Sequence, residues 1–318
     1  MREPPPHVGD ELVLATVREH WDTAATRVMH LPVGFGAHHW AAGDDAARRL
    51  FVTFDTLGSR HTAATLEATY AAADALAGDL DFVLPPLATT TCNSTSTSTS
   101  DFTVPVADGA LSATRWVDGT SGRGPLRDRA EAEATAELLA RLHATAAPTG
   151  IERWQPLVTV RYAAELALAL GGPWEEAGPY GAHARQALSD RIADIGRWVA
   201  RYHHLAAEAR ERPWVATHGE PHSANQVLTP NGRLLVDWES LRLAPAERDL
   251  RVLVQDGHAD LVAPAWSMLE MFDLEWRLDE IAQYSRWFSA PHTGTASDEV
   301  AWGGLRGELE RDEWTSPT

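Results

Sequence analysis

Two histidines, two glutamates, two asparagines and an aspartate crowd into the stretch THGEPHSANQVLTPNGRLLVDWE, Thr217 to Glu239. Glu220 stands two residues after His218, Asn225 five after Glu220, and Asp237 closes the apolar run Leu234, Leu235, Val236. A carboxylate, an amide and a second carboxylate at the end of the next strand meet the needs of metal-assisted phosphoryl transfer. One carboxylate orients and deprotonates an acceptor hydroxyl. The amide oxygen and the other carboxylate hold Mg²⁺ against nucleotide phosphates, because that ion prefers hard oxygen ligands and needs few of them from the protein. Two other readings stay open on spacing alone. His218 and His222, with Glu220 or Asp237, form a zinc candidate, although the glutamate is not adjacent to the first histidine and Pro221 interrupts any helix. A polar turn that satisfies its own buried hydrogen bonds is the third.

The elements around this stretch divide the chain. Apolar spacing predicts a helix over 11–28, then strand, glycine turn, strand, tight turn and strand over 28–57. An alanine-rich helix follows over 61–78, a strand over 82–90, and a solvated loop or an irregular hairpin tip through the Ser/Thr-rich tract 89–103. Strand character resumes over 110–119. Helices are expected over 128–146 and 188–212, with a mainly helical segment over 247–309 around many Trp and acidic residues. The fold class is α+β and bilobal: a β-rich lobe over 1–117, a larger helical lobe over 118–318, and a cleft between them.

Composition narrows the partners. The net charge of −18 over 318 residues argues against nucleic acid or an anionic membrane and suits a cationic small molecule. All 27 basic residues are arginine, so chemistry that needs an ε-amino group is excluded. A single cysteine, Cys92, cannot form an internal disulfide, and the proline-rich start MREPPPHVGDELVL lacks an apolar signal core. With no apolar run of about 18 residues, a cytoplasmic protein is the expectation.

The H-G-E-x-x-x-x-N pattern followed by a V-D-W strand resembles the aminoglycoside phosphotransferase family, small-molecule kinases with a protein-kinase-like bilobal fold. The family pattern is H-G-D-x-x-x-x-N with an Asp ending the next strand. The resemblance implies that Glu220 is the catalytic carboxylate, Asn225 and Asp237 the metal ligands, and His218 the brace of the loop. LAPAERDL (243–250) is similar to the family's G-D-P-x-x-D-L element, where Asp249 caps a helix or braces the loop, and LLARLHA (138–144) to the helix beneath it. The likeness extends over most of 28–290 and is most specific in 214–250. It implies ATP or GTP as donor, Mg²⁺ as cofactor, and a hydroxyl-bearing small molecule as acceptor, an aminoglycoside or related sugar, with antibiotic resistance as the biological setting.

Two departures from that pattern carry chemical weight. Glu220 stands where the family has Asp, and its added methylene moves the carboxylate by roughly 1.5 Å unless the loop retreats, a shift that can cost about a hundredfold in rate. The strand RLFVTFD puts Thr53 where the family's nucleotide-binding lysine belongs, which leaves Glu67 on the next helix with no ion pair to make. Arg48, Arg49 and Arg60 are the nearest cations in sequence, Arg49 sharing a strand face with Thr53. The turn at Gly34 and Gly36 is expected over the nucleotide phosphates, with His38 or His39 adding a hydrogen bond, and the base-contacting hinge at Thr114–Val117, where Trp116 lies. Trp266, Glu270, Asp273, Glu275, Trp276, Asp279 and Glu280 are candidates for an acceptor pocket, against an ordinary helical surface with tryptophans in the core. His143, His203 and His204 read as packing or surface residues. The alternative to an enzyme is a pseudokinase-like ligand-binding protein that keeps the fold and has lost efficient transfer.

Overall fold

In the computed structural model, which describes residues 1–34, 36–58, 61–90, 101–126 and 128–314, contacts divide the chain into two compact units. One comprises 1–153, 215–244 and 252–261; the other comprises 154–214, 245–251 and 262–318. Cys92, Arg60 and most of the Ser/Thr tract lie outside the described residues.

The first unit is built on helix α1 (Asp10–His20) and five antiparallel strands: β1 (Arg27–Leu31), β2 (His38–Gly43), β3 (Arg48–Thr56), β4 (Thr103–Val106) and β5 (Gly109–Arg115), with α2 (Ala63–Ala77) between β3 and β4. They lie in the order β1-β2-β3-β5-β4. Alternation along β3 sorts its two faces. Leu50, Val52 and Phe54 are buried with Trp40, Leu111 and the α1 residues Val13 and Val17. Phe51, Thr53 and Asp55 point to the other face and are only partly covered. Gly109 is required where β5 pairs with β3, because a Cβ there would stand 2.3 Å from the Asp55 carbonyl oxygen.

The same unit holds β6 (Thr120–Ser121), α3 (Arg129–Ala144), β7 (Val215–Thr217), β8 (Gln226–Thr229), β9 (Gly232–Leu235) and β10 (Arg242–Ala244). β8 pairs with both β6 and β9, and β7 with β10. Beneath them α2 and α3 close a second core in which Leu76, Phe82, Leu138 and Leu142 meet Ala216, Leu235 and Trp238. The segment from Thr217 to Glu239 is thus anchored at both ends in an apolar floor.

Three expectations change. The opening helix stops at His20, and 27–31 instead pair with β2 from Arg27↔Gly43 to Leu31↔His39. Tertiary pairing overrides the local helical pattern there. Residues 82–90 form no regular strand beyond a bridge of Val83 with Leu235, because Pro85 and Pro86 have no N–H to donate. A strand does appear at β4, within and just past the tract read as loop.

The second unit is helical: α4 (Tyr162–Ala169), α5 (Gly181–Ala209), α7 (Trp266–Ser289) and α8 (Ala296–Glu310), while α6 (Glu247–Gln255) is divided between the two units. α5 begins at Gly181, earlier than Leu188. α7 packs against α5 and α8 and is buried on nearly every side. Its acids are engaged inside the unit. Glu270 takes two hydrogen bonds from Arg201, both 2.6 Å. Asp273 takes two from Arg311, both 2.9 Å. Glu275 accepts from Trp154 Nε1 (3.0 and 2.8 Å) and from the Tyr202 hydroxyl. Trp276 lies under Arg251, 5.0 Å from the ring centre. His203 bonds the Val158 carbonyl at 3.1 Å and His204 pairs loosely with Glu208, so both serve packing and surface. Asp249 is the third residue of α6 and fully buried. No helix among the described residues is long and apolar enough to cross a membrane.

Burial pushes the Glu275 carboxyl up to about 7, against the pull of Tyr202, Arg248 and Trp154. Its folded value lies above the unfolded one, so its contribution to stability is fully present below about pH 4.5 and lost as pH rises through about 7. The loss is on the order of 3 kcal/mol. Glu275→Gln removes the titration and is expected to flatten the fall in Tm between pH 5 and 8. Equal slopes in variant and wild type would remove Glu275 as the cause.

Candidate active site

β7 delivers the chain into the polar loop at His218, which is fully buried. Its Nε2–H donates to the Val236 carbonyl at 2.9 Å, and its Nδ1 accepts the Glu220 N–H at 3.2 Å. The ring packs edge-on against Trp238, centroids 4.6 Å apart. One imidazole therefore ties the loop's entrance to the residue before Asp237 and to the backbone of Glu220. Between them Gly219 takes φ +98°, a left-handed turn that suits glycine. With both ring nitrogens committed to backbone, His218 has no lone pair for a metal, and the zinc reading loses its first ligand.

Three further atoms of Glu220 have neighbours. Its Oε1 accepts from the Ser240 hydroxyl at 3.3 Å and its Oε2 lies 3.8 Å from His222 Nε2. Its carbonyl accepts from Asn225 Nδ2 at 3.0 Å. That last bond fixes the Asn225 amide with Nδ2 turned into the loop, which assigns Oδ1 to the other side. A short 3-10 turn at Ser223–Asn225 leads into β8. Gln226 fastens the floor: its Nε2 donates to the Pro221 carbonyl at 2.7 Å, and its Oε1 accepts from Thr135 at 3.0 Å and Arg233 at 2.8 Å.

Asp237 follows β9 in the left-handed region, φ 71° and ψ 66°, one of two such non-glycine residues among those described. Asp tolerates this conformation better than most residues, and strain of this kind concentrates at functional positions. The Asp237 charge is felt across the site. Asp55 of β3 is pushed up to about 7, first by burial and then by Asp237, while Tyr70 donates to it at 3.3 Å. Burial, then Asp237, pushes the adjoining Glu239 well above the ordinary carboxylate range. His39 is held down at about 4 by burial, with Asp237 pulling the other way. Asp237 at the end of β9 thus acts on both His39 of β2 and Asp55 of β3.

On that face neither Arg48 nor Arg49 reaches Thr53. Its hydroxyl lies 3.2 Å from His39 Nδ1. Arg49 is bound to Asp22 at 2.6 Å and to Asp44, and Arg48 lies 4.9 Å over the Trp116 ring, so neither replaces a lysine at Thr53. Glu67 accepts from the N–H groups of Phe102 (2.9 Å) and Thr103 (2.6 Å) and from the Thr103 hydroxyl. The glycine turn is left-handed at Gly34 (φ +70°) and Gly36 (φ +101°), and a Cβ on Gly34 would stand 2.9 Å from His39 Nε2. His38 turns away, to the Glu3 carbonyl at 3.0 Å and the rings of Trp40 and Phe54. Trp116 sits beyond Phe51, ring centres 6.3 Å apart, with its N–H on Asp118.

The structure thus groups Glu220, His218, Asn225 and Asp237 in one braced loop and places Thr53 and Gly34 around His39. Among the described residues no three His, Cys, Asp or Glu side chains are arranged to hold a metal by themselves. An amide oxygen with a carboxylate is nonetheless a donor set that suits Mg²⁺, which takes its remaining ligands from phosphate and water. Sequence reasoning missed Asp55, Tyr70, Glu239, Ser240 and Gln226. Strand alternation from Thr53 marks Asp55, and helical spacing from Glu67 marks Tyr70. Nothing local marks Gln226.

The model of the phosphotransferase enzyme family (APH) matches residues 28–295. Protein StrN of Streptomyces griseus is 34% identical over 144 residues, 42% of this chain and 43% of that protein, so the match spans less than half of the relative. Among solved structures, spectinomycin phosphotransferase, APH(9)-Ia, in complex with ADP and spectinomycin superposes with a TM-score of 0.69 at 14% identity, over 95% of this chain and 94% of that one. The microcompartment-associated aminopropanol kinase gives 0.58 at 15% identity, over 94% and 95%. At these identities the two superpositions are likenesses of fold.

Proposed function

The chain belongs to the phosphotransferase enzyme family, and from that premise we propose that it moves the γ-phosphoryl group of ATP or GTP to a hydroxyl of a small molecule. The acceptor class we favour is an aminoglycoside or related aminocyclitol, a cationic molecule that a chain of net charge −18 attracts. One solved structural neighbour is in complex with ADP and spectinomycin. An acceptor of this kind would make the chain an antibiotic-resistance factor acting in the cytoplasm. In this reading 1–117 forms the nucleotide-binding lobe and 118–318 the catalytic and substrate-binding lobe.

The observation that carries the proposal is the braced loop, in which His218 fixes the backbone of Glu220 and Val236 at once. Glu220 orients the acceptor hydroxyl and takes its proton as the oxygen attacks phosphorus. Ser240 and His222 steady the carboxylate. The Asn225 Oδ1 and the Asp237 carboxylate are the groups that would hold Mg²⁺. When bound, that ion supplies the positive charge that neutralises the phosphates. Gly34 and Gly36 let the backbone approach the phosphates, and Trp116 borders the base. The non-catalytic alternative rests on the two departures at Thr53 and Glu220, and the braced loop supports transfer instead.

Millimolar Mg²⁺ with ATP or GTP is expected to raise the melting temperature, because a ligand that binds the folded state stabilises it by mass action. No shift with either nucleotide would contradict the proposal.

A further inference from the structure

A kinase fold without lysine must meet the nucleotide's phosphates with something else, and the β2–β3 face offers one group in position. We propose that His39 replaces the absent lysine, its Nε2–H donating to a phosphate oxygen of the bound nucleotide beneath the glycine turn. The inference rests on the phosphotransferase reading and deepens it.

His39 stands directly across from Thr53 in the β2–β3 register. The two side chains meet at 3.2 Å between Nδ1 and Oγ1. When the threonine hydroxyl donates to Nδ1, the ring proton is fixed on Nε2, so that nitrogen becomes the donor. The ring is 8% exposed and lies against Phe51, centroids 4.9 Å apart, which removes its freedom to turn. Gly34 passes so close that any side chain there would collide with Nε2. The donor therefore lies under the backbone turn. A neutral donor in this place avoids burying a cation, and burial indeed holds His39 neutral at ordinary pH. Thr53 occupies the lysine's position as an orienting residue, and His39 makes the contact.

A hydrogen bond to an anionic oxygen accounts for about 10–100-fold in affinity. The test measures binding of ADP and adenosine, and of GDP and guanosine, by calorimetry. His39→Ala is expected to weaken the diphosphate by about 10–100-fold while the nucleoside changes by less than about twofold. His39→Gln, whose amide nitrogen can reach the Nε2 position, is expected to recover most of the loss, and His39→Asn is not. Equal weakening of nucleoside and diphosphate would show a structural role and overturn the inference, as would undiminished ADP and GDP binding by His39→Ala. A wild type that binds neither diphosphate would overturn the phosphotransferase reading as well, so the two failures are distinguishable.

Discussion

Asp237→Asn is expected to lower Mg²⁺-dependent turnover by about a thousandfold or more, several kcal/mol of transition-state charge stabilisation. Asn keeps the shape of the side chain and tolerates the left-handed backbone at φ 71°, so the loss reports charge and not refolding of the loop. The Mg²⁺-dependent part of the nucleotide-induced rise in Tm should vanish with it. Stability in the absence of ligand should hold, because the amide keeps an oxygen that can accept from the protonated Glu239 carboxyl and removes a charge that acts on buried Asp55. A variant that loses activity but also melts well below wild type would assign Asp237 to the fold. Asp237→Ala adds backbone strain of about 1 kcal/mol to the same loss.

Glu220→Gln carries the second large effect. Removing a general base costs about 10²–10⁴-fold in kcat, and the variant is expected to bind Mg²⁺ and nucleotide as wild type does. The neutral amide can still accept from Ser240, which preserves the loop. Equal loss of nucleotide binding in Glu220→Gln and in Asp237→Asn would contradict the division of roles. The longer side chain changes character once its surroundings are known. The extra methylene that sets it apart from the family's Asp carries the carboxylate to Ser240 and His222, 3.3 and 3.8 Å away. Glu220→Asp would draw it back from both.

The polar loop was legible because its chemistry is local: residue types at fixed spacing, bounded by apolar strands, define which groups meet. The spacing of His218 from Glu220 was visible, yet one of its two backbone bonds is to Val236, which is brought alongside by the β8–β9 turn. The strand face was legible by alternation as far as Thr53. The choice between His38 and His39 needed the strand's actual register, since adjacent residues point to opposite faces and a one-residue slip exchanges them. The fate of Glu67 was hidden because its new partners, the N–H groups of Phe102 and Thr103, follow a tract whose composition signals no strand. Helical periodicity overran α1 for a related reason: pairing of 27–31 with β2 is a long-range contact that local pattern does not register. The acids of α7 looked like pocket candidates by type. Their arginine, tryptophan and tyrosine partners come from α5, from Arg311 just past α8 and from Trp154, which no spacing along α7 reveals.

The central claim is that the loop from Thr217 to Glu239 transfers a phosphoryl group. It is tested most directly with γ-phosphate-labelled ATP and GTP, Mg²⁺, and a panel of aminoglycosides, aminocyclitols including spectinomycin, and simple amino alcohols. The account predicts that label appears covalently on an acceptor hydroxyl with wild type, and fails to appear with Glu220→Gln or after Mg²⁺ is chelated. Bound nucleotide whose label never leaves it, across the whole panel, would contradict the claim.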